Sequence, residues 1–143
     1  MDYAQTHNAP EVSRLKTIPL LLLPTILVHV LLLGGSGLSS AWFSTTLPSG
    51  AIFELTGGTA VLIVALLALT AEVFKSTFSS RASLLDHMLS LFLFVVLLIE
   101  FLLWPAAASG VFALLVVMTL VDVITGFAVG MAVARRDVGI LRE

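Results

Sequence analysis

Apolar residues along this chain gather into four long runs, Thr17–Gly34, Ala51–Phe74, Leu84–Trp104 and Val111–Ala134, and most polar residues lie between them. A helix that crosses a bilayer needs roughly 20 consecutive, mostly apolar residues, and each run is close to that length. Four spanning helices are predicted. Gly34-Gly35-Ser36-Gly37 ends the first with residues that accept left-handed backbone. Pro48-Ser49-Gly50 opens the second. Ser83, with Asp86 three residues on, reads as an N-cap and acidic first turn for the third. Pro105 ends that helix, and Pro105–Gly110 is a short turn into the fourth. Short connections favour antiparallel neighbours. The expected fold is therefore an all-α integral membrane protein with four transmembrane helices in an up-down-up-down antiparallel bundle. Residues 1–16 and 135–143 are tails and residues 17–134 form the membrane domain. No internal repeat appears, so an inverted-repeat transporter has no support.

The positive charges add an orientation. Arg14 and Lys16 precede the first run, Lys75 and Arg81 separate the second from the third, and Arg135, Arg136 and Arg142 follow the fourth. The connections Gly35–Gly50 and Pro105–Gly110 contain no Lys or Arg. Basic residues mark cytoplasmic loops, so both termini are expected in the cytoplasm of a multi-pass protein of the cell (inner) membrane. Trp42, Phe43 and Trp104 then fall at the outer interface, where aromatic rings prefer to lie. A rival reading takes Arg14, Lys16, the leucine-rich stretch and Ser39-Ser40-Ala41 as a signal peptide. Cleavage would leave three spans and an external N-terminus. Pro24, His29 and the length of the run argue against it.

Composition agrees with the pattern. The 143 residues are 59% hydrophobic and 11% charged, against roughly 25% charged in soluble domains. The net charge of −2 is uninformative, and no basic patch suggests nucleic acid. There are no cysteines, which excludes disulfides, thiolate metal sites and cysteine nucleophiles.

Against this background, polar residues inside the runs stand out. A charge at the bilayer centre costs roughly 2.5–3.5 kcal/mol on insertion scales and often marks function. Asp122 lies near mid-helix in the fourth run, with Thr119 and Thr125 three residues either side. Gly126, Gly130 and Ala134 follow at spacing four, so an acid and a small-residue groove share a face, and Gly126–Gly130 is a GxxxG packing motif. The acid is either a hydrogen-bonded packing residue or an ion or proton carrier. In the second run, Glu54 and Glu72 are 18 residues apart, five helical turns, and share a face with Gly58, Val61, Ala65 and Ala68. Glu72 is expected to pair with Lys75 or Arg81. By helical rise, His29, Glu54 and Glu100 fall at one depth. They form either a register-fixing polar cluster or a site for a divalent cation or a proton. On the third helix Asp86, Ser90, Leu97 and Glu100 share a stripe, while His87 points elsewhere.

Several chemistries are disfavoured. His29 and His87 belong at opposite membrane faces, so they cannot form a bis-histidine haem site. No Glu-x-x-His pair supports a di-iron bundle, and G-x-S-x-G, H-E-x-x-H and Walker signatures are absent. No cofactor is expected. The plan is similar to that of the small multidrug transporters in outline only: those rely on an acid in helix 1, where this chain has His29. The first expectation is a non-enzymatic subunit or scaffold, surrounded by membrane lipids. It would pack as a homo-oligomer, or in a larger membrane complex, through the Gly126/Gly130 face. The alternative is a small proton- or cation-coupled carrier, working as a dimer. An enzyme acting on a lipid or quinone through His29 with Glu54 or Glu100 ranks third. The orientation of Asp122 discriminates the first two.

Overall fold

The computed structural model describes residues 18–35, 37–78 and 83–140, with the side chains of 77–86 and 133–140 outside that description. Among these residues are four α helices and one β-hairpin. The order is α1 (Leu22–Leu33), β1 (Ala41–Thr46), β2 (Ile52–Thr56), α2 (Gly57–Phe78), α3 (Ser83–Leu103), a 3-10 turn (Pro105–Ala107) and α4 (Gly110–Ile140). Two helices are long and apolar enough to cross a membrane, α2 over Gly57–Ser76 and α4 over Gly110–Ala132. The apolar helices Leu22–Leu33 and His87–Leu103 are shorter.

The second apolar run is not one helix. Its first residues form β2, which pairs antiparallel with β1. Both strands are rich in aromatic and β-branched residues, which suit a pleated surface. Pro48-Ser49-Gly50 is the tip of this hairpin, not the opening of a helix. Leu47 N donates to Ala51 O at 2.9 Å and Gly50 N to Leu47 O at 2.9 Å. Gly50 sits at φ +82°, the left-handed position that a three-residue hairpin loop requires. Helix α2 then starts directly from β2. Its first amides find acceptors: Gly57 N bonds Ser40 O at 3.0 Å, Gly58 N bonds Leu38 O at 2.8 Å, and Thr59 N bonds Thr56 Oγ1 at 3.2 Å. These are groups a helix cannot satisfy internally.

Helix α1 is also shorter than its apolar run. Pro24 has no N–H to bond back to Leu20, so the chain enters through tighter bonds, Leu22 N to Pro19 O and Leu23 N to Leu20 O, both 3.1 Å. At the other end of the chain, α4 continues through Arg135 and Arg136 to Ile140. Pro105 ends α3 as its sequence requires, and Ser109 Oγ caps α4 by accepting from Phe112 N at 3.2 Å.

The helix ends that meet define the packing. Leu20 lies against Glu72 and Leu31 against Gly57, so α1 and α2 run antiparallel. Gly58 lies against Val111, which sets α2 and α4 side by side in the same sense. Leu21, Val28, Val61, Ala65, Leu97, Phe112 and Leu115 form the centre of the core. Gly58, Val61, Ala65, Ala68 and Glu72 are all buried and are the inward face of α2. Glu54 is not on that face: it stands exposed on β2, because the helix begins three residues after it.

Polarity is distributed unusually. The buried set includes Thr25, Glu72, Ser90, Thr119 and Asp122, while Leu23, Val30, Leu67, Phe92, Leu102, Phe127 and other large apolar residues of all four helices are more than half exposed. Only 28% of the apolar stretch of α2 and 39% of that of α4 are buried, whereas the core helix of a soluble protein is mostly covered.

Candidate functional site

At the hairpin end, α1 presents His29 and α3 presents Glu100, and the two meet. His29 Nε2 lies 3.1 Å from Glu100 Oε2, and His29 Nδ1 lies 2.7 Å from the Thr25 carbonyl oxygen one turn earlier. A carbonyl only accepts, so Nδ1 carries a proton. The Nε2–Oε2 contact is within hydrogen-bond reach and joins α1 to α3. The His29 ring stacks on Trp104 with centroids 5.7 Å apart and meets Phe112 edge-on at 6.0 Å. The aromatic pair and the backbone contact together fix the ring's orientation. The side chains of His29 and Glu100 remain 25% and 30% exposed.

Glu54 does not join this pair. A common depth with His29 and Glu100 holds only if Glu54 is on a helix, and the hairpin carries it away. Among the described residues no group of three or more His, Cys, Asp or Glu is placed to hold a metal ion.

At the far end, Glu72 joins α1 to α2. Its Oε2 accepts from Leu20 N at 3.0 Å, and its Oε1 accepts from Lys75 Nζ at 2.9 Å. The side chain is nearly covered, so the carboxylate is a structural acceptor at the mouth of α1. Lys75 is the expected partner. Leu20 is one the sequence did not reveal, because a backbone donor has no side-chain signature.

Between these ends lies Asp122, 6% exposed, one turn from Thr119, which is 1% exposed and bonds its own helix at Val116 O. Asp122 therefore faces the interior. Among the described residues no buried side-chain nitrogen or oxygen lacks a hydrogen-bond partner. Thr125 turns away and bonds Val121 O from the exposed side.

The glycines of α4 have different surroundings. Gly126 is buried and a Cβ there would overlap the His87 imidazole of α3. Gly130 is exposed, with nothing near its missing Cβ. The GxxxG motif thus admits a histidine ring at its first glycine and leaves its second open. An apolar groove of about 350 Å3 runs between α3 and α4 here, lined by His87, Leu91, Gly126, Phe127, Gly130 and Met131 among others. Gly126→Leu is expected to lower the unfolding free energy in detergent by about 1–3 kcal/mol, the usual cost of overpacking. Gly130→Leu should stay within about 0.5 kcal/mol, as an open surface site does. Equal losses for both variants would mean that Gly130 is covered.

Asp86 and Ala134 lie on α3 and α4, with their side chains outside those described. No protein-family model, curated protein or solved structure matches the chain.

Proposed function

We propose that this chain is a four-span protein of the cell (inner) membrane, with both termini cytoplasmic and the hairpin external. It serves as a non-enzymatic subunit or scaffold that packs against itself or a larger membrane complex. The observation that carries the reading is the inverted polarity: large apolar side chains cover the outside of all four helices, while Glu72, Ser90, Thr119 and Asp122 are inside. In water that arrangement exposes far more apolar surface than a soluble monomer tolerates. In hydrocarbon it satisfies every helix. The basic residues support the orientation, since the segment carrying the hairpin has none. A scaffold role is supported by what the polar groups do: Glu72 ties α1 to α2, and His29–Glu100 ties α1 to α3. The groove beside Gly130 is open for a partner helix.

A periplasm-sensitive reporter inserted at Ser49 should be active, and one fused after Glu143 should be silent. The opposite pattern at either site sinks the topology. Gly130→Leu should keep the monomer fold and reduce association on a sizing column. Unchanged association would remove the groove from the interface.

The carrier reading remains as a second proposal, favoured by the contact of two titratable side chains, His29 and Glu100, and the interior position of Asp122. Glu100→Gln can still bond His29, its amide donating to Nε2, but cannot exchange the proton. Asp122→Asn keeps the shape of a neutral acid. On this reading both variants fold normally and lose pH-dependent flux in proteoliposomes. Wild-type protein without pH- or cation-dependent flux would leave only the scaffold.

A further inference from the structure

The hairpin is amphipathic across its two faces. The register pairs Phe43 with Leu55 and Thr45 with Phe53, and it pairs Ser44 with Glu54 and Thr46 with Ile52. Directly paired residues share a face, and faces alternate along a strand. One face therefore carries Phe43, Leu47, Phe53 and Leu55 with Thr45. The other carries Ser44, Thr46 and Glu54 with Ile52. Phe43 is 56% exposed, Leu47 43% and Phe53 42%, and Leu55 is half-buried, so the outer part of the apolar face is open in the monomer.

We infer that this face lies flat on the bilayer, its aromatic rings seated in the outer lipid interface. The inference rests on the membrane reading above. Three observations name lipid as the occupant. First, β2 runs into α2 with no linker, and the bonds from Gly57 and Gly58 to Ser40 and Leu38 clamp the hairpin base to the helix end. The 20-residue apolar stretch of α2 spans about 30 Å, the thickness of the hydrocarbon core. The clamp therefore sits at the hydrocarbon edge. Second, a six-residue strand reaches about 20 Å, while the headgroup layer is only about 5–8 Å deep. An upright hairpin would hold Phe53 and Leu47 in water; a flat one places them where aromatic and apolar groups partition. Third, the hairpin has no Lys or Arg, and its one acid, Glu54, is on the opposite face. Contact with the headgroups is thus apolar and aromatic, with no attraction to anionic lipid to assist it and no charge on the buried side to oppose it.

The chain has no cysteine, so single-site labelling needs no background changes. Phe53→Cys, Ser44→Cys and Leu66→Cys, each carrying a nitroxide, are reconstituted as the full chain in phosphatidylcholine vesicles. Collisions with oxygen, which concentrates in lipid, are compared with collisions with a water-soluble nickel chelate. The expected oxygen-to-nickel ratio is high at 66, several-fold higher at 53 than at 44, and unchanged when phosphatidylglycerol is added. A high ratio at 66 with equal, low ratios at 53 and 44 means the hairpin stands in water, which overturns the inference and spares the membrane reading. A label at 53 shielded from both reagents means a second copy or another protein covers the face, which also overturns it. A low ratio at 66 would sink the membrane reading itself. If Phe53→Cys fails to fold, Leu47→Cys probes the same face with the same expected outcomes.

Discussion

Gly58→Val is expected to destabilise the molecule by about 3 kcal/mol, the upper end of overpacking costs. The site is where three segments converge. A Cβ at Gly58 would lie 2.7 Å from the Val111 side chain of α4 and 3.0 Å from the Leu38 carbonyl oxygen. The same carbonyl accepts the Gly58 N–H at 2.8 Å. The obstacle is partly backbone, so no rotamer change relieves it, and moving Leu38 away breaks a cap of α2. Denaturant-induced unfolding in mixed micelles, followed by circular dichroism, checks this. An unchanged midpoint would mean that α2 and α4 do not approach each other as described. Gly57→Val is the comparison: its nearest neighbours are the ends of the Leu31 and Trp42 side chains at 3.3 Å, which can shift, so a smaller loss is expected.

Glu72→Ala should produce the second large loss. It leaves the Leu20 N–H and the Lys75 ammonium without their carboxylate acceptor. The Leu20 bond is part-buried and made to a charged group; such bonds contribute about 1.5–3 kcal/mol, and the ion pair adds to that where it is shielded. Lys75 is 22% exposed and can reach solvent, so its share is the smaller. Glu72→Gln keeps an acceptor for Leu20 and removes the charge, and should fall between wild type and Glu72→Ala. Hydrogen exchange at the start of α1 should rise in Glu72→Ala more than exchange anywhere in α4. Uniform exchange across all helices would show that Glu72 does not hold that helix in particular.

The stripe Gly58, Val61, Ala65, Ala68 and Glu72 was readable from spacing alone, and it is the buried face of α2. Small residues repeating at helical intervals need no neighbour to be recognised. The same wheel carried Glu54 onto that face wrongly. Hydropathy does not distinguish Ile52-Phe53-Glu54-Leu55-Thr56 as a strand from the start of a helix. The signal that would have separated them was local: two aromatic, β-branched segments either side of Leu47-Pro48-Ser49-Gly50. Depth matching found His29 and Glu100, which meet at 3.1 Å, but could not say that Glu54 stays away. Thr25, Trp104 and Phe112 were not identified as partners of His29. One acts through its carbonyl oxygen, and the others come from distant points in the chain.

Gly126 shows the limit from the other side. Its spacing to Gly130 marked a close-approach face, and the approach occurs, but the visitor is the His87 ring and not a helix backbone. A missing side chain shows up in sequence as a space, not as the identity of what fills it. What this sequence determined by itself is therefore what depends on periodicity, length and backbone chemistry. It determined the apolar helices, the buried stripe of α2, the stop at Pro105 and the mid-helix acid Asp122 of α4. What only the tertiary structure decided depends on which faces meet: the contact of His29 with Glu100, the acceptance of the Leu20 N–H by Glu72, and the pairing of residues 52–56 as a strand instead of the first turns of α2. Those outcomes rest on contacts across 52 to 71 residues and on strand pairing. Their energies come from packing and hydrogen bonds between segments that have no local sequence signature.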